Sequence, residues 1–457
     1  MNPFDPADSA SRTACLTTPL RRRDALGLLA GGLALPALWR SAEAQGAAEV
    51  EVAVVGGGAA GIAAARALAA AGRSCMLIEA SRALGGRART ETLGGTPLDL
   101  GVARLDSGGP LAAAAASAGI TPTALAVARR LYVDGREASN GGYDGFLAAL
   151  GRANRAIAAT ADAGRDIAVA ATLPEGGPWD GTVAALLGPL GIGRPLDKVS
   201  TVDLARRQTP ADDSRAPDGV GALLDRLGSG LTVRFSTRVA RIDAVRNGVV
   251  LGFEGGGTLK ARSVILAVPA AVIAAGAIRI TPFPVRIMDA LRALPSGMLE
   301  HVGFLLRENP LGLDPDERVV LKAGTTSPAL LEARIGAGDL HVLTFGDQQA
   351  VEIAARGDAA GLALAREALV AGFGARAVSN LETVVVSRWS RHPLIRGAMA
   401  VALPGGSGSR RLFIDPVGRV ILAGEYTSID RWGTVDGAYA SGMAAAERAV
   451  RLLAGPA

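Results

Sequence analysis

An α/β fold is predicted for this chain of 457 residues, and three observations support it. A short apolar strand pattern at residues 50–55 leads into a glycine-rich turn and then an Ala-rich helix pattern that runs to about residue 71. A second strand pattern, residues 74–78, ends in Glu79. Near the carboxyl terminus a strand pattern at residues 420–423 is followed by glycines and a final helix pattern. Strands that alternate with helices in this way predict a parallel sheet covered by helices.

The composition excludes several classes of protein. Apolar residues make up 49% of the chain and charged residues 20%, which is typical of a globular protein. The net charge is +5, but the basic residues are mostly arginines scattered along the chain, so nucleic acid is not an expected partner. Removal of a leader that contains Cys15 would leave Cys75 alone and exclude an intramolecular disulfide. His301, His341 and His392 match no metal-ligand spacing, and we expect no metal.

The first 44 residues have the order of an export signal. Three arginines, residues 21–23, precede an apolar run at residues 25–39 and then Ala42-Glu43-Ala44. Adjacent arginines with Leu26 close behind resemble a twin-arginine signal, which is read by a machinery that exports folded proteins. The apolar run is shorter than the ~20 residues of a membrane-spanning helix. We therefore expect cleavage after about Ala44 and a periplasmic protein; an ordinary secretory signal and an uncleaved anchor are the alternatives.

The first glycine cluster has the spacing of a dinucleotide-binding turn. Gly56-x-Gly58-x-x-Gly61 stands between a strand pattern and a helix pattern, and Glu79 ends the next strand. Gly56 would make the tight turn, Gly58 would admit a pyrophosphate to the backbone, and Gly61 would let helix pack on strand. The start of the helix offers free N–H groups to the pyrophosphate. Glu79 would accept hydrogen bonds from the ribose hydroxyls.

Two further segments carry a family resemblance. Residues 79–90 read EASRALGGRART, and residues 421–450 read ILAGEYTSIDRWGTVDGAYASGMAAAERAV. With the first motif they resemble the flavin-containing amine oxidase superfamily, which includes monoamine, polyamine and L-amino-acid oxidases. The resemblance implies an FAD-binding dinucleotide fold of the glutathione-reductase-like, amine oxidase type, interleaved with an α+β substrate domain. Residues 45–110, 215–280 and 395–457 would form the FAD-binding domain, and residues 111–214 and 281–394 the substrate domain.

The resemblance also implies how FAD would be held. Arg87 would place a cation beside the pyrophosphate, Val239 would meet the adenine, and Glu425 would bind the ribityl hydroxyls. The final helix would begin near Val435 and point its N–H groups at the flavin pyrimidine, where charge collects on reduction. Ala398 stands where covalent family members have Cys, so FAD should be dissociable. The predicted cofactor-binding residues are Gly56, Gly58, Ala60, Gly61, Glu79, Ala80, Gly85, Gly86, Arg87, Val239, Gly424, Glu425, Thr434 and Val435.

The chemistry implied by the resemblance is hydride removal from a C–H beside a neutral amine nitrogen to flavin N5, followed by hydrolysis of the imine. His301 stands where the family commonly has a Lys that holds a water and assists reoxidation by oxygen. A neutral His could hold the water but supplies no fixed positive charge. We therefore expect slow use of oxygen and transfer of electrons to another, periplasmic acceptor; a tolerated substitution is the alternative.

The substrate wall also departs from the family. Amine oxidases often place two aromatic rings before the flavin, and Met399 and Thr434 occupy those positions here. An aromatic cage for a cation is therefore not expected. Trp389 lies nearby in sequence and would be either a substrate wall or part of the packing.

Arg104 is the candidate that favours an amino-acid substrate. It occupies the position at which the resemblance to L-amino-acid oxidases places an arginine that clamps the substrate carboxylate. A guanidinium and a carboxylate form a bidentate, charge-assisted pair. The alternative is an arginine paired with Asp99, Asp106 or an FAD phosphate.

These observations favour a periplasmic FAD-dependent oxidase or dehydrogenase of amines, with L-α-amino acids as the preferred substrates. The candidate catalytic residues are His301, Arg104, Thr434, Met399 and Trp389. A monoamine- or polyamine-type enzyme is the first alternative, and a polyamine would require acidic residues along the pocket. A flavin-binding protein with little catalytic activity is the second. Carotenoid-desaturase-like chemistry shares only the first motif and ranks last.

Overall fold

Two β-sheets organise the chain, and a computed structural model describes them over residues 49–125, 129–208, 212–322 and 327–455. The predicted export signal at residues 1–44 lies outside the described residues. The strands, numbered in chain order, are β1 Glu49–Val55, β2 Cys75–Ile78, β3 Thr90–Leu93, β4 Thr96–Asp99, β5 Leu105–Asp106, β6 Thr123–Ala124, β7 Arg129–Val133, β8 Arg136–Glu137, β9 Asp213–Arg215, β10 Val233–Arg234, β11 Val239–Val245, β12 Gly248–Phe253, β13 Thr258–Leu266, β14 Arg279–Thr281, β15 Leu299–Leu306, β16 Glu317–Lys322, β17 Ala329–Ala333, β18 Leu340–Gly346, β19 Leu381–Val386 and β20 Val420–Leu422.

Helices cover the sheets and connect their strands. The α-helices, numbered in chain order, are α1 Ala59–Ala70, α2 Pro110–Ser117, α3 Asn140–Asp162, α4 Asp180–Leu187, α5 Pro189–Ile192, α6 Thr201–Arg206, α7 Val220–Gly228, α8 Ala270–Ala274, α9 Val285–Arg292, α10 Asp347–Arg356, α11 Asp358–Phe373 and α12 Val435–Ala454. No helix in the described part of the chain is both long and apolar enough to cross a membrane.

The first sheet has eight strands and supports the glycine-rich turn. Its order is β10-β2-β1-β13-β12-β11-β14, with β20 also paired to β13. The pairs among β10, β2, β1, β13 and β20 are parallel. Val52, Ala53 and Val54 of β1 are fully buried in a continuous apolar run, as expected for a strand covered on both faces. The carboxyl ends of β1, β2 and β20 therefore point to the same edge of the sheet.

Small residues bring the first and last helices together over this sheet. On α12, an added Cβ at Gly442 would lie 2.0 Å from the carbonyl oxygen of Ala60 on α1. The Ala-rich sequence of α1 thus serves close helix packing, because bulkier side chains would separate the two backbones. Ala60 is the second residue of α1 and Gly442 the eighth of α12, so α12 begins about two turns beyond this contact. Along the chain, α1 follows β1 and α12 follows β20.

The second sheet has seven strands in the order β19-β15-β18-β17-β16-β7-β8. Its pairs are antiparallel except for β16 with β7. The mostly apolar residues 340–345 lie in β18, and the Ala-rich residues 359–373 lie in α11. The Ala-rich sequence of residues 111–214 is helical in pattern, but Arg129–Val133 within it forms a strand. Its apolar and aromatic Leu131-Tyr132-Val133 joins this sheet, a signal hidden by the surrounding alanines.

Candidate active site

The glycine turn after β1 forms one end of a large cavity. Gly56 has φ of 106°, and a Cβ there would lie 2.8 Å from the Ala267 carbonyl oxygen. A Cβ on Gly61 would lie 1.8 Å from the Gly56 carbonyl oxygen, which makes the predicted close contact of helix and strand. Around Gly58, by contrast, the nearest atoms to an added Cβ are 3.9 Å away. Gly58 therefore leaves open space where a ligand can reach the start of α1.

Glu79 is fixed beside this turn by backbone N–H groups. Its Oε2 accepts from the Gly57 N–H at 2.6 Å and its Oε1 from the Ser81 N–H at 2.7 Å. Gly57 is a residue that the sequence analysis did not single out: a Cβ there would lie 2.6 Å from Leu84 Cδ2 and 3.0 Å from Glu79 Oε2. Its position between Gly56 and Gly58 was the feature of the sequence that could have identified it.

A second glycine turn closes over the first. Gly85 donates its N–H to the Gly57 carbonyl at 2.9 Å, and Gly85 and Gly86 both have positive φ. The next residue, Arg87, crosses the cavity to the carboxyl-terminal segment, where its Nη1 donates to the Ala398 carbonyl and, at 3.0 Å, to Glu425 Oε1. Arg87 thus joins the amino-terminal and carboxyl-terminal parts of the cavity wall. The sequence analysis placed Arg87 beside a pyrophosphate and did not predict these contacts.

Glu425 organises the carboxyl-terminal wall. It is only 4% exposed and, besides Arg87, accepts from the Ala400 N–H at 3.1 Å and the Gly433 N–H at 3.0 Å. Its neighbour Gly424 has φ of 142°, which favours glycine. Glu425 therefore holds together the stretches that follow Ala398 and precede α12.

The start of α12 is fixed by its cap. Thr434 is the N-cap: its hydroxyl accepts from the Gly437 N–H at 2.9 Å and donates to the Arg431 carbonyl at 2.7 Å. Val435 is the first residue of the helix and lines the cavity. The first-turn N–H groups of any helix lack intrahelical partners and carry partial positive charge. The wall at Thr434 and Val435 therefore suits a ligand edge that bears negative charge.

Asp436 is a structural residue that the sequence analysis missed. Its buried carboxylate accepts from the Asp106 N–H at 3.0 Å and from the Leu111 N–H at 3.1 Å, which ties α12 to β5 and to the start of α2. Burial raises its pKa, although the two N–H bonds favour the charged form. An acid in the first turn of a helix was the available signal.

The cavity has a volume of about 850 Å³. We call one end of it the glycine end, formed by Gly56, Gly58, Glu79, Gly85 and their neighbours, and the other the histidine end, formed by His301, Trp389, Met399 and Thr434. The predicted residues that line it are Gly56, Gly58, Ala60, Glu79, Ala80, Gly85, Gly86, Arg87, Val239, His301, Trp389, Met399, Gly424, Glu425, Thr434 and Val435. Gly61 lies beneath the turn, and Arg104 is outside the lining.

His301 projects from β15 into the histidine end. Its Nδ1 lies 3.2 Å from Thr344 Oγ1, and its backbone N–H donates to Ser387 Oγ at 2.8 Å. Burial lowers the pKa of His301, and the nearby carboxylates Glu300 and Glu332 oppose this only in part. His301 is therefore neutral at pH 7 and contributes hydrogen bonds rather than positive charge.

Trp389 is held in the wall by Glu300, which the sequence analysis missed. Glu300 is fully buried and accepts from the Ser387 hydroxyl at 2.6 Å, the Trp389 N–H at 2.9 Å and the Ser390 N–H at 2.7 Å. The indole N–H of Trp389 donates to the Leu100 carbonyl at 2.7 Å. Trp389 is thus fixed from both sides as a rigid wall. An acidic residue inside an apolar strand was the only signal for Glu300.

Met399 lies beside this wall, close to the residue before Thr434. The Trp389 carbonyl accepts from the Gly397 N–H at 2.9 Å, which places the indole next to the residue 397–399 turn. An added Cβ at Gly433 would lie 2.7 Å from Met399 Sδ, so Met399 packs against the residue that precedes Thr434. The histidine end therefore presents a thioether, an indole, an imidazole and a capped helix start.

The expected role of Arg104 as a carboxylate clamp requires correction. Its Nε donates to Glu332 Oε1 at 3.1 Å and its Nη1 to Asp213 Oδ2 at 3.2 Å. Burial would raise the pKa of Glu332, but Arg104 and Arg318 outweigh it and leave that pKa lowered. Arg104 is already neutralised by two carboxylates and does not line the cavity, so it is not free to bind a substrate. Its partners also differ from the Asp99 or Asp106 considered as alternatives.

Within the described residues, no cluster of three or more His, Cys, Asp or Glu side chains could hold a metal ion. The donors that line the cavity instead suit a dinucleotide. Open space above Gly58, free N–H groups at the starts of α1 and α12, and the fixed acids Glu79 and Glu425 match a pyrophosphate flanked by hydroxyl-bearing groups. The volume is within the range of about 300–1,000 Å³ for cofactor and ligand sites. The fold and the cavity together define a dinucleotide-binding fold.

Comparison with family models agrees with this class. Residues 174–450 match the flavin-containing amine oxidoreductase model, and residues 54–116 match an NAD(P)-binding Rossmann-like domain. The chain therefore belongs to the flavin-containing amine oxidoreductase family, and its cofactor is FAD.

Two of the individual proteins that resemble the chain share less than 30% sequence identity with it over the aligned residues. The chain is 28% identical over 244 residues to polyamine oxidase 4 of Oryza sativa subsp. japonica, over 50% of this chain and 47% of that protein. It is 26% identical over 263 residues to human lysine-specific histone demethylase 2, over 53% of this chain and 31% of that protein. The matches thus span about half or less of these relatives. A structure of wild-type putrescine oxidase bound to putrescine superposes with a TM-score of 0.73 and 19% identity, covering 89% of this chain and 100% of that chain. This likeness shows a shared fold.

Proposed function

We propose that this protein oxidises a C–N bond of an amine with FAD. The observation that carries the proposal is one cavity that runs from the glycine turn and Glu79 to the start of α12, with His301 and Trp389 at its far end. FAD, when bound, supplies the chemistry: it accepts hydride, at N5, from the carbon beside a neutral amine nitrogen. The resulting imine would be hydrolysed by water.

The residues of the histidine end have distinct tasks in this proposal. Trp389 and Met399 would orient the amine so that its reacting C–H faces the cofactor, and their bulk excludes water. Neutral His301 would accept a hydrogen bond from the amine or hold a water beside it. The start of α12 at Thr434 and Val435 would stabilise negative charge that develops on the adjacent ligand edge.

The charges around the cavity favour a monoamine with apolar substituents. Of the carboxylates in its lining, Glu425 is the one at the histidine end, and Arg87 and two N–H groups already occupy it. The other acids of the lining belong to two neighbouring segments. The residue 79–91 segment contains Glu79 and Glu91, and Asp218 and Asp225 lie just before or in α7, which packs beside that segment. The internal segments outside the described ranges contain no Asp or Glu. Among the described residues, a second ammonium group would therefore find no free acid at the histidine end, and a carboxylate there would find Arg87 already paired with Glu425.

A substrate screen tests this proposal. Purified protein should release one FAD on acid precipitation, because Ala398 offers no thiol for covalent attachment. Under anaerobic conditions, aliphatic monoamines and benzylamine should bleach the flavin; putrescine, spermidine and L-leucine should not. Bleaching by the polyamines or L-leucine alone would overturn the substrate class. A flavin that no amine reduces would favour a flavin-binding protein with little catalytic activity.

The twin-arginine signal and the periplasmic location belong to the same proposal. Support comes from the order of arginines, apolar run and small residues in the sequence. Replacement of Arg22 and Arg23 by Lys should leave the protein in the cytoplasm of a host with twin-arginine export. Continued appearance of the double variant in the periplasm would contradict this route and favour an ordinary secretory signal.

A further inference from the structure

A buried ion pair lies directly behind the histidine end of the cavity. Arg410, in the short 3₁₀ helix Ser409–Phe413, is 1% exposed, and Asp203 on α6 is 2% exposed. Two hydrogen bonds of 2.8 Å join them, from Nε to Oδ1 and from Nη2 to Oδ2. Both charges lose their water, so such a pair requires further hydrogen bonds to be tolerated. The partners that supply those bonds indicate what the pair does.

Arg410 uses its other donors on the cavity wall. Its Nη1 donates to the Tyr426 carbonyl at 3.1 Å and its Nη2 to the Ala400 carbonyl at 2.9 Å. Tyr426 follows Glu425, and Ala400 follows Met399. One guanidinium therefore fixes the backbone of two separate stretches that line the cavity.

Trp432 connects the pair to the third stretch of the wall. This fully buried indole has its ring centroid 4.7 Å from the Arg410 guanidinium carbon, and its N–H donates to the Asp203 carbonyl at 3.2 Å. Trp432 directly precedes Gly433, whose N–H binds Glu425, and Thr434, which caps α12. Arg207 adds a second cation 5.0 Å from the same ring. The start of α12 is thus anchored through Trp432.

We propose that Arg410, with Asp203, is a positioning residue for the flavin. By fixing the stretches at residues 398–400, 425–426 and 432–435 relative to one another, it sets how FAD binds and how strongly the start of α12 stabilises the reduced form. Displacement of that helix start weakens binding of the reduced flavin more than that of the oxidised flavin, and the reduction potential falls. The proposal rests on the FAD site of the proposed function and not on its amine substrate, since every readout below uses bound flavin without substrate.

The test compares variants in their FAD dissociation constant, visible flavin spectrum and reduction potential. Arg410→Lys keeps the charge but loses the fork, and Asp203→Asn keeps the shape but loses the charge. The double variant Arg410→Met with Asp203→Leu replaces the pair by apolar groups and should fold, as such replacements generally do. Glu317→Gln is the matched control, because Glu317 is 4% exposed and pairs with Arg130 at 3.5 Å outside the cavity lining.

All three pair variants should raise the FAD dissociation constant at least tenfold and alter the flavin spectrum. A tenfold loss of preference for reduced flavin corresponds to about 30 mV for a two-electron couple. The control should lose thermal stability without changing these flavin readouts. A folded double variant with wild-type FAD affinity and potential would overturn the proposal. An equal change in the control would do the same, since the effect would then follow from stability alone. Neither outcome depends on whether amines are substrates.

Discussion

The two ends of the cavity are built differently. At the glycine end the ligand-facing groups are mostly backbone: glycines without Cβ and the N–H groups at the start of α1, with one side chain, Glu79, held by two N–H donors. At the histidine end they are mostly side chains from distant stretches, and Trp389 among them is fixed by the buried Glu300. A backbone site tolerates little change in the turn itself. A side-chain site depends on residues that never touch the ligand.

The largest effect should come from the glycine end. Gly61→Ala places a Cβ 1.8 Å from the Gly56 carbonyl oxygen, so the backbone must move; we expect a loss of about 3 kcal/mol of unfolding free energy and of FAD binding. Gly58→Ala has room within the protein but fills the ligand space. It should cost less than about 1 kcal/mol of stability yet weaken FAD binding at least about tenfold. Chemical denaturation and FAD titration measure both, and similar behaviour of the two variants would refute the distinction.

At the histidine end, Glu300→Ala should lower stability and turnover but leave FAD affinity nearly unchanged. The substitution leaves the Ser387 hydroxyl and the N–H groups of Trp389 and Ser390 without their acceptor, which should cost about 3 kcal/mol. Turnover should fall because Trp389 loses its fixed position, while FAD affinity should stay within about twofold. A stable, fully active variant would show that Trp389 needs no such partner.

His341 lies outside both ends of the cavity and should make the free energy of unfolding depend on pH. His341 is fully buried, stacked on Phe304, and burial lowers its pKa to about 4. The folded state resists its protonation, so stability is lost as pH falls below the unfolded value of about 6.5, and the loss is complete near pH 4. The shift corresponds to about 3 kcal/mol. His341→Leu should remove this part of the pH dependence in denaturation curves; identical curves would contradict it.

The variant His301→Lys tests whether a missing positive charge makes the reduced flavin react slowly with oxygen. Neutral His301 supplies no fixed positive charge, and Lys, which the family commonly has at this position, would. Reoxidation of the reduced flavin by air should accelerate at least about tenfold, because the charge stabilises reduced oxygen. Stopped-flow mixing of the reduced protein with oxygen measures this rate. Fast reoxidation of the wild-type protein would contradict the expectation of slow oxygen use.

The smallest effect should follow Arg104→Ala. Glu332 keeps Arg318 as a partner, so the loss of stability should be about 1 kcal/mol. Because Arg104 lies outside the cavity lining, kcat/KM for amines should change by less than about threefold. A selective rise in KM for L-amino acids, with amines unaffected, would restore the carboxylate-clamp interpretation.

The sequence predicted most residues of the glycine end, although not Gly57, because its requirements are local. Gly56, Gly58, Gly61 and Glu79 follow from turn geometry within one strand–helix–strand unit. The partners of Arg104, the roles of Glu300 and Asp436, and the pairing of Arg410 with Asp203 depend on residues between about 85 and 330 positions away, which no local pattern encodes. The strand Arg129–Val133 was missed for the same reason, since its pairing partner is β16.

The convergence of both termini on a single FAD is tested most directly by counting the FAD bound by Glu79→Ala, Glu425→Ala and the wild-type protein. The wild type should hold one FAD per chain, and each substitution, although the two residues are 346 positions apart, should weaken binding of that same molecule. A correctly folded protein that takes up no FAD, or one in which only one of the two substitutions affects binding, would contradict the shared site.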